Sequence, residues 1–139
     1  MNNYPDLDRF LNAQYRDYAT AFTEIKSGHK KGHWMWYIFP QVDGLGFSNM
    51  AKYYAIKGLP EAKAFLAHPI LGPRLVAISK ALLTRKGDNV REIMGAPDDL
   101  KLRSSMTLFA FVPGADLVFK AVLEKYYLGE KDQATVQFI

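Results

Sequence analysis

The residue types best able to do chemistry fall in two stretches far apart in the chain. The first, His33-Trp34-Met35-Trp36-Tyr37-Ile38-Phe39-Pro40-Gln41, holds both tryptophans and runs into a glycine loop, Gly44-Leu45-Gly46-Phe47-Ser48. The second is Asp98-Asp99-Leu100-Lys101-Leu102-Arg103-Ser104-Ser105-Met106-Thr107-Leu108-Phe109. His33, Asp98 and Asp99 are the acid–base candidates, because an imidazole or a carboxyl group can move a proton or orient water in a closed site. Trp34 and Trp36 offer ring faces on which a planar ligand could stack. Gln41 is a polar residue at the edge of an apolar run and needs a partner. Gly46 and Ser48 lead into an expected helix N-terminus, where free N–H groups and the helix dipole favour an anion. Lys101, Arg103 and Ser104, with Ser105, carry the donors that hold a phosphate or carboxylate.

Each candidate has a plainer reading. The aromatic run can be core, with Trp34, Tyr37 and Ile38 turned inward. The glycine loop can be an ordinary turn with a Ser cap. An Asp99–Arg103 pair on an exposed helix contributes only about 0.3–0.5 kcal/mol, and the serines can belong to a buried polar network. Trp34 and Trp36 cannot share one face, so at least one of them is expected to line a groove.

Other chemistries lack their residues. There are no cysteines, which excludes a thiolate nucleophile, a disulfide framework and Cys-ligated zinc. His29 and His33 are four apart, but Gly32 interrupts any helix between them and no carboxylate lies near in sequence, so no metal site is expected. There is no Gly-x-Ser-x-Gly elbow and no Walker loop, and the glycine loop lacks the third glycine of the dinucleotide fingerprint. No cofactor is implied.

The elements that must position these residues read as helices. Leu7, Phe10, Leu11, Tyr15, Tyr18, Phe22 and Ile25 recur in three- and four-residue steps, predicting a helix from about Asp6 to Ser27 that stops at Gly28. The basic connector His29-Lys30-Lys31-Gly32 follows. His33 to Phe39 reads as one or two helical turns, with a tight strand-like segment as the alternative, ended by Pro40. Ser48 caps a helix through Ile56, Gly58 stops it, and Pro60 opens the next. His68-Pro69 separates that helix from a longer one ending near Lys86. Asp88 caps a short helix that ends at Gly95. Pro97 and Asp98 open a strong helix to about Val112, Pro113-Gly114 turns the chain, and one more helix ends at Gly129. Asp132 caps a final turn or two. No segment alternates as a strand. The expectation is all-α: a single compact domain over 1–139 with about seven or eight mostly short helices, no sheet and irregular orthogonal packing.

Composition agrees. The chain has 139 residues, 49% hydrophobic and 23% charged, with 14% aromatic, enough for one domain with a large core. The net charge of +4 is spread along the chain, which argues against a nucleic-acid binder. The N-terminus is polar and no apolar run approaches the roughly 18 residues of a membrane span, so a cytoplasmic location and no membrane partner are expected. Oligomeric state is not legible.

Together with His68-Pro69-Ile70-Leu71-Gly72-Pro73-Arg74-Leu75, the two stretches and the glycine loop resemble the family called domain of unknown function 1810, in order and over nearly the whole chain. That resemblance implies a small all-helical domain and no particular activity. Some members carry the label calpastatin, but calpastatin inhibitors are disordered repeats, unlike a chain with so aromatic a core. A fainter resemblance is to NADAR (NAD- and ADP-ribose-associated) domains, through Ser48 with Tyr53-Tyr54 and through Arg103 with Met106. NADAR domains include an N-glycosidase acting on a riboflavin-pathway intermediate, but Ala51 and Lys52 stand where that pattern has an acidic residue, so the resemblance implies ligand binding more than glycosidase chemistry.

The leading expectation is therefore a pocket for a phosphorylated, ring-containing small molecule such as a nucleotide or ADP-ribose derivative. The alternative is a non-enzymatic interaction module whose motifs serve core packing. Whether the two stretches meet is a question of geometry.

Overall fold

The structure, a computed structural model, describes residues 6–139. Nine helices are found among them: α1 (Asp8–Ser27), α2 (Met35–Ile38), α3 (Asn49–Tyr53), α4 (Gly58–Ala67), α5 (Leu71–Leu83), α6 (Val90–Met94), α7 (Asp98–Ala110), α8 (Val118–Tyr127) and α9 (Gln133–Gln137). The described residues contain no strand. An isolated parallel bridge joins Val42 to Ile56. The all-α expectation holds, with one helix more than expected.

The helices form where spacing and caps agree. Phe10, Ala13, Gln14, Ala21 and Ile25 make the buried stripe of α1, and Gly28 closes it in the left-handed conformation at φ 80°. Tyr15, assigned to that stripe by its spacing, is instead exposed. Ser48 Oγ accepts the Ala51 N–H and caps α3. α3 ends at Tyr53, short of Ile56, because the next residues pair elsewhere. Ile56 N–H donates to Gln41 C=O at 2.9 Å, and Asp43 N–H donates to Ile56 C=O at 2.8 Å. Gly58, expected to stop α3, begins α4. α6 is capped by Asn89, whose Oδ1 accepts the Glu92 N–H, and not by Asp88. α5 stops at Leu83, before the expected Lys86.

α4 and α5 meet at 88°, the orthogonal packing the short helices imply. The junction is tight. A methyl group on Gly72 would lie 2.0 Å from Leu66 C=O, so only glycine fits. His68 Nδ1 accepts the N–H groups of Ile70 and Leu71 and so caps the start of α5. The centre of the domain is aromatic: the Phe10, Phe65, Phe109 and Phe119 rings pack in sequence at centroid separations of 5.1, 5.4 and 5.8 Å. α7 crosses this centre with Leu102, Met106 and Phe109 fully buried, the stripe read from its spacing. No single described helix is long and apolar enough to cross a membrane.

A candidate cation–aromatic site

The two sequence stretches meet, through lysines. In the connector after α1, Glu24 Oε1 accepts the N–H groups of Lys31 and Gly32 and the Trp34 indole N–H, each at 2.9 Å. Burial alone would raise the Glu24 carboxyl, but the N–H donors of Gly32, Lys31 and Trp34 outweigh it and hold the group below its ordinary value. This clamp fixes the turn that delivers Lys30 and Trp34. The Lys30 ammonium lies 4.8 Å from the centroid of Trp34 and 2.8 Å from Asp98 Oδ2 in the first turn of α7. The Lys30 side chain is only 6% exposed. Asp98 Oδ1 also faces Lys101 Nζ at 3.7 Å, and Lys101 Nζ stands 5.2 Å from the ring centroid of Trp36. A chain of charge, Lys30–Asp98–Lys101, thus spans the faces of both tryptophans. Two ammonium groups share the Asp98 carboxylate, and that of Lys101 stands beside a half-buried indole.

Trp36 also lines a narrow cleft with Gln41, Gly44, Gly46 and Tyr54. Its free volume is about 10 Å³, at the lower limit for one water molecule. The glycine loop is filled from within. A methyl group on Gly46 would meet Ala51 Cβ at 2.5 Å, and one on Gly44 would meet Phe138 Cε1 at 2.7 Å. Ser48 Oγ is occupied by its own helix. The loop's small residues are explained by packing, and α3, at five residues, is too short to present a strong dipole.

The other sequence-nominated residues on α7 face elsewhere. Asp99, adjacent to Asp98, projects about 100° around the helix, and its C=O accepts the Tyr127 hydroxyl from α8. Burial, and then the Asp99 carboxylate, push the Tyr127 hydroxyl well above the usual phenol range, with Arg103 opposing. Arg103 Nη2 is 3.9 Å from Asp132 Oδ1, and Ser104 Oγ donates to Asp132 Oδ2 at 2.8 Å. Asp99 Oδ1, Arg103 Nε and Ser105 Oγ are buried with no hydrogen-bond partner among the described residues. His33 is exposed at the start of the α2 turn.

The candidate set therefore divides. Trp34, Trp36, Asp98 and Lys101 are brought together, with Gln41 and Gly46 in the adjoining cleft. Asp99, Arg103 and Ser104 join a polar network with Tyr127 and Asp132 on another side of α7. His33, Asp98 and Asp99 do not converge on one cavity. The sequence reading missed Lys30, which looked like part of a solvated basic connector. Its aromatic and basic neighbours in sequence carried no signal for a carboxylate partner on α7.

Fold and site define a small all-helical single-domain protein with a cation–aromatic seam on one face. The chain belongs to the family described as Protein of unknown function (DUF1810), whose family model matches residues 4–139. A solved structure, that of the conserved hypothetical protein Rv1873 from Mycobacterium tuberculosis, is similar to it at 48% sequence identity. The match covers 96% of each chain with a TM-score of 0.94. No curated protein matches the chain. The family match bears out the main sequence resemblance and does not bear out the fainter one to NADAR domains.

Proposed function

We propose that the chain binds a small anionic, ring-bearing molecule of the nucleotide class at the mouth of the Trp36 cleft, without transforming it. The observation that carries this reading is the Lys101 ammonium 5.2 Å from the half-buried Trp36 ring, loosely held by an Asp98 already paired to Lys30. A ligand ring stacks on the outer face of the indole, an interaction of about 1–3 kcal/mol for nucleobases on aromatic side chains. Its phosphate or carboxylate takes Lys101, whose 3.7 Å separation from Asp98 is longer than a charged hydrogen bond. Gln41 stands at the rim to pair with polar ring edges.

The glycine loop has no part in this version of the site, because its neighbours fill it, and neither has Arg103, which faces Asp132 on another side of α7. Asp98 serves as a counter-ion between two lysines, a role that positions groups and does not transfer protons. A cytoplasmic setting, where nucleotides abound and a cysteine-free chain is at no disadvantage, belongs to the same reading.

A thermal-shift and fluorescence titration with adenosine monophosphate, adenosine diphosphate and ADP-ribose tests it. A ligand present at about 100 times its Kd raises stability by about 2.7 kcal/mol and quenches Trp36. No shift and no quenching with any of them rejects the reading. The competing reading, an interaction module, is favoured by the 86% exposure of Phe47 beside the cleft, and it gains if every small anion fails.

A further inference from the structure

We propose that the outer face of α8 is the surface through which two copies of this chain pair, antiparallel about a twofold axis. The inference is independent of the ligand-binding reading, because none of the residues lining the Trp36 cleft lies on α8.

α8 packs on α5 and α7, and its buried residues are Val118, Phe119, Val122, Leu123 and Tyr126. At about 100° per residue, Leu117, Lys120, Ala121, Glu124 and Leu128 fall on the opposite side. A leucine stands at each end of this outer row, roughly 16 Å apart along the helix. Leu117 is 78% exposed and Leu128 89%. Leu128 is unfavourable for the lone domain on two counts. Its apolar side chain meets water, and its backbone holds φ 56°, a left-handed position that glycine takes without strain. A leucine retained there contributes nothing to its own core and is available to another surface.

The charges say which surface. Lys120 and Glu124 are exposed and form no ion pair among the described residues. The row is close to self-complementary: Leu117 and Leu128 are centred between positions 122 and 123, and Lys120 and Glu124 on position 122. Turning a second α8 end for end about that point sets Leu117 against Leu128 of the second copy. The same turn sets Lys120 against Glu124 of the second copy. Each contact then occurs twice, as a twofold axis requires. A parallel pairing would set like charge on like, which is repulsive. Ala121 lies near the crossing point, where a small side chain lets the helices approach. Beside the row, Leu117 and Leu123 share a groove of about 310 Å³ with Phe111 and Lys131, which has room for a leucine of the other copy. One helix pair and a groove make a small interface, so the dimer is weak and sensitive to salt.

Sedimentation of the intact protein from micromolar to millimolar concentration tests the pairing. The wild type is expected to pass from monomer to dimer. Leu128→Gly relieves the left-handed strain, and it is expected to weaken the dimer severalfold while the Tm of the dilute protein holds or rises. Lys120→Glu and Glu124→Lys each bring like charges together and are expected to stay monomeric over the same range. Mixing these two variants in equal amounts is expected to restore the dimer, because each then meets the opposite charge. A wild type that stays monomeric throughout overturns the proposal. A dimer left intact by Leu128→Gly and by both charge reversals also overturns it. So does a mixture that fails to associate where the wild type does.

Discussion

Trp34 and Trp36 are two residues apart and meet different fates. Trp34 is 2% exposed. Its indole N–H is bound by Glu24 and one face is covered by Lys30, so nothing of it remains for a ligand. Trp36 sits about 200° further round the same helical turn, half-buried, with a lysine over its ring and a cleft at its edge. One helical turn thus carries an anchor on its inner side and an available ring on its outer side. Both are wired to the same residue, Asp98. A row of aromatic residues in sequence says that a core is being built. Only the angle between neighbours says which member is left over for function.

The comparison breaks most visibly at Trp34. Trp34→Ala is expected to cost about 3–5 kcal/mol, from lost burial plus the cavity left behind, with Tm lowered by on the order of 10 °C or more. Trp36→Ala is expected to cost less than about 1.5 kcal/mol, and equal losses in urea unfolding would erase the distinction between the two rings. Next in size is the clamp. Glu24→Ala leaves the Lys31, Gly32 and Trp34 N–H groups without their acceptor and is expected to cost about 1–3 kcal/mol, at the lower end because water reaches part of the turn. Chemical-shift changes on Trp34 with none on Trp36 would confirm where the damage lies.

A smaller effect comes from acid. The Glu24 carboxyl titrates below its ordinary value of 4.5 in the folded chain, its hydrogen bonds overcoming the opposing effect of burial. A depressed folded-state value means stability that is present above the unfolded value and is lost as pH falls through the folded one. Asp17 acts in the same sense, where the hydrogen bonds from Tyr37 and Arg16 outweigh burial. Urea midpoints are therefore expected to fall below about pH 4.5, and Glu24→Gln should flatten part of that fall. An unchanged acid limb in the variant would show that the clamp contributes nothing to the pH dependence.

How much of this was legible in sequence depends on range. Local signals worked: Gly28 closing α1, Ser48 and Asp132 as caps, and the Leu102, Met106, Phe109 stripe all rest on neighbours within one turn. Signals failed where a distant partner decided. α3 stops early because Ile56 pairs with the chain around Val42. Lys30 is buried because Asp98, from a helix much later in the chain, neutralises it. Leu128 takes a left-handed conformation at φ 56° and is 89% exposed, at a helix end where the sequence pointed to Gly129. The candidate site was read as one wall facing another, and the walls do touch. α7 presents two polar rows, and the row with Asp98 and Lys101 is the one beside the aromatic stretch. Asp98 turns to Lys30 and Lys101, whereas the next residue, Asp99, accepts from Tyr127 through its C=O, and Arg103 follows one turn later to the Asp132 side.

The finest test sits on the outer half of the comparison. Lys101→Met keeps an apolar stem against the Trp36 ring and removes only the ammonium. Asp98 retains Lys30 at 2.8 Å, so the carboxylate is not left unpaired, and the stability change is expected to stay within about 0.5 kcal/mol, as for most surface substitutions. Affinity for a nucleotide-class anion should nonetheless fall about tenfold, equivalent to about 1.4 kcal/mol. Most of the salt dependence of binding should go with it, because the ammonium beside the indole has been removed. Trp36→Phe separates the remaining contribution: it keeps a ring and the charge, so affinity should drop less than in Lys101→Met while the salt dependence survives. If Lys101→Met leaves affinity untouched and Trp36→Phe abolishes it, the site recognises rings and not charge, and the lysine over the indole is only the outer edge of the Lys30–Asp98 pair.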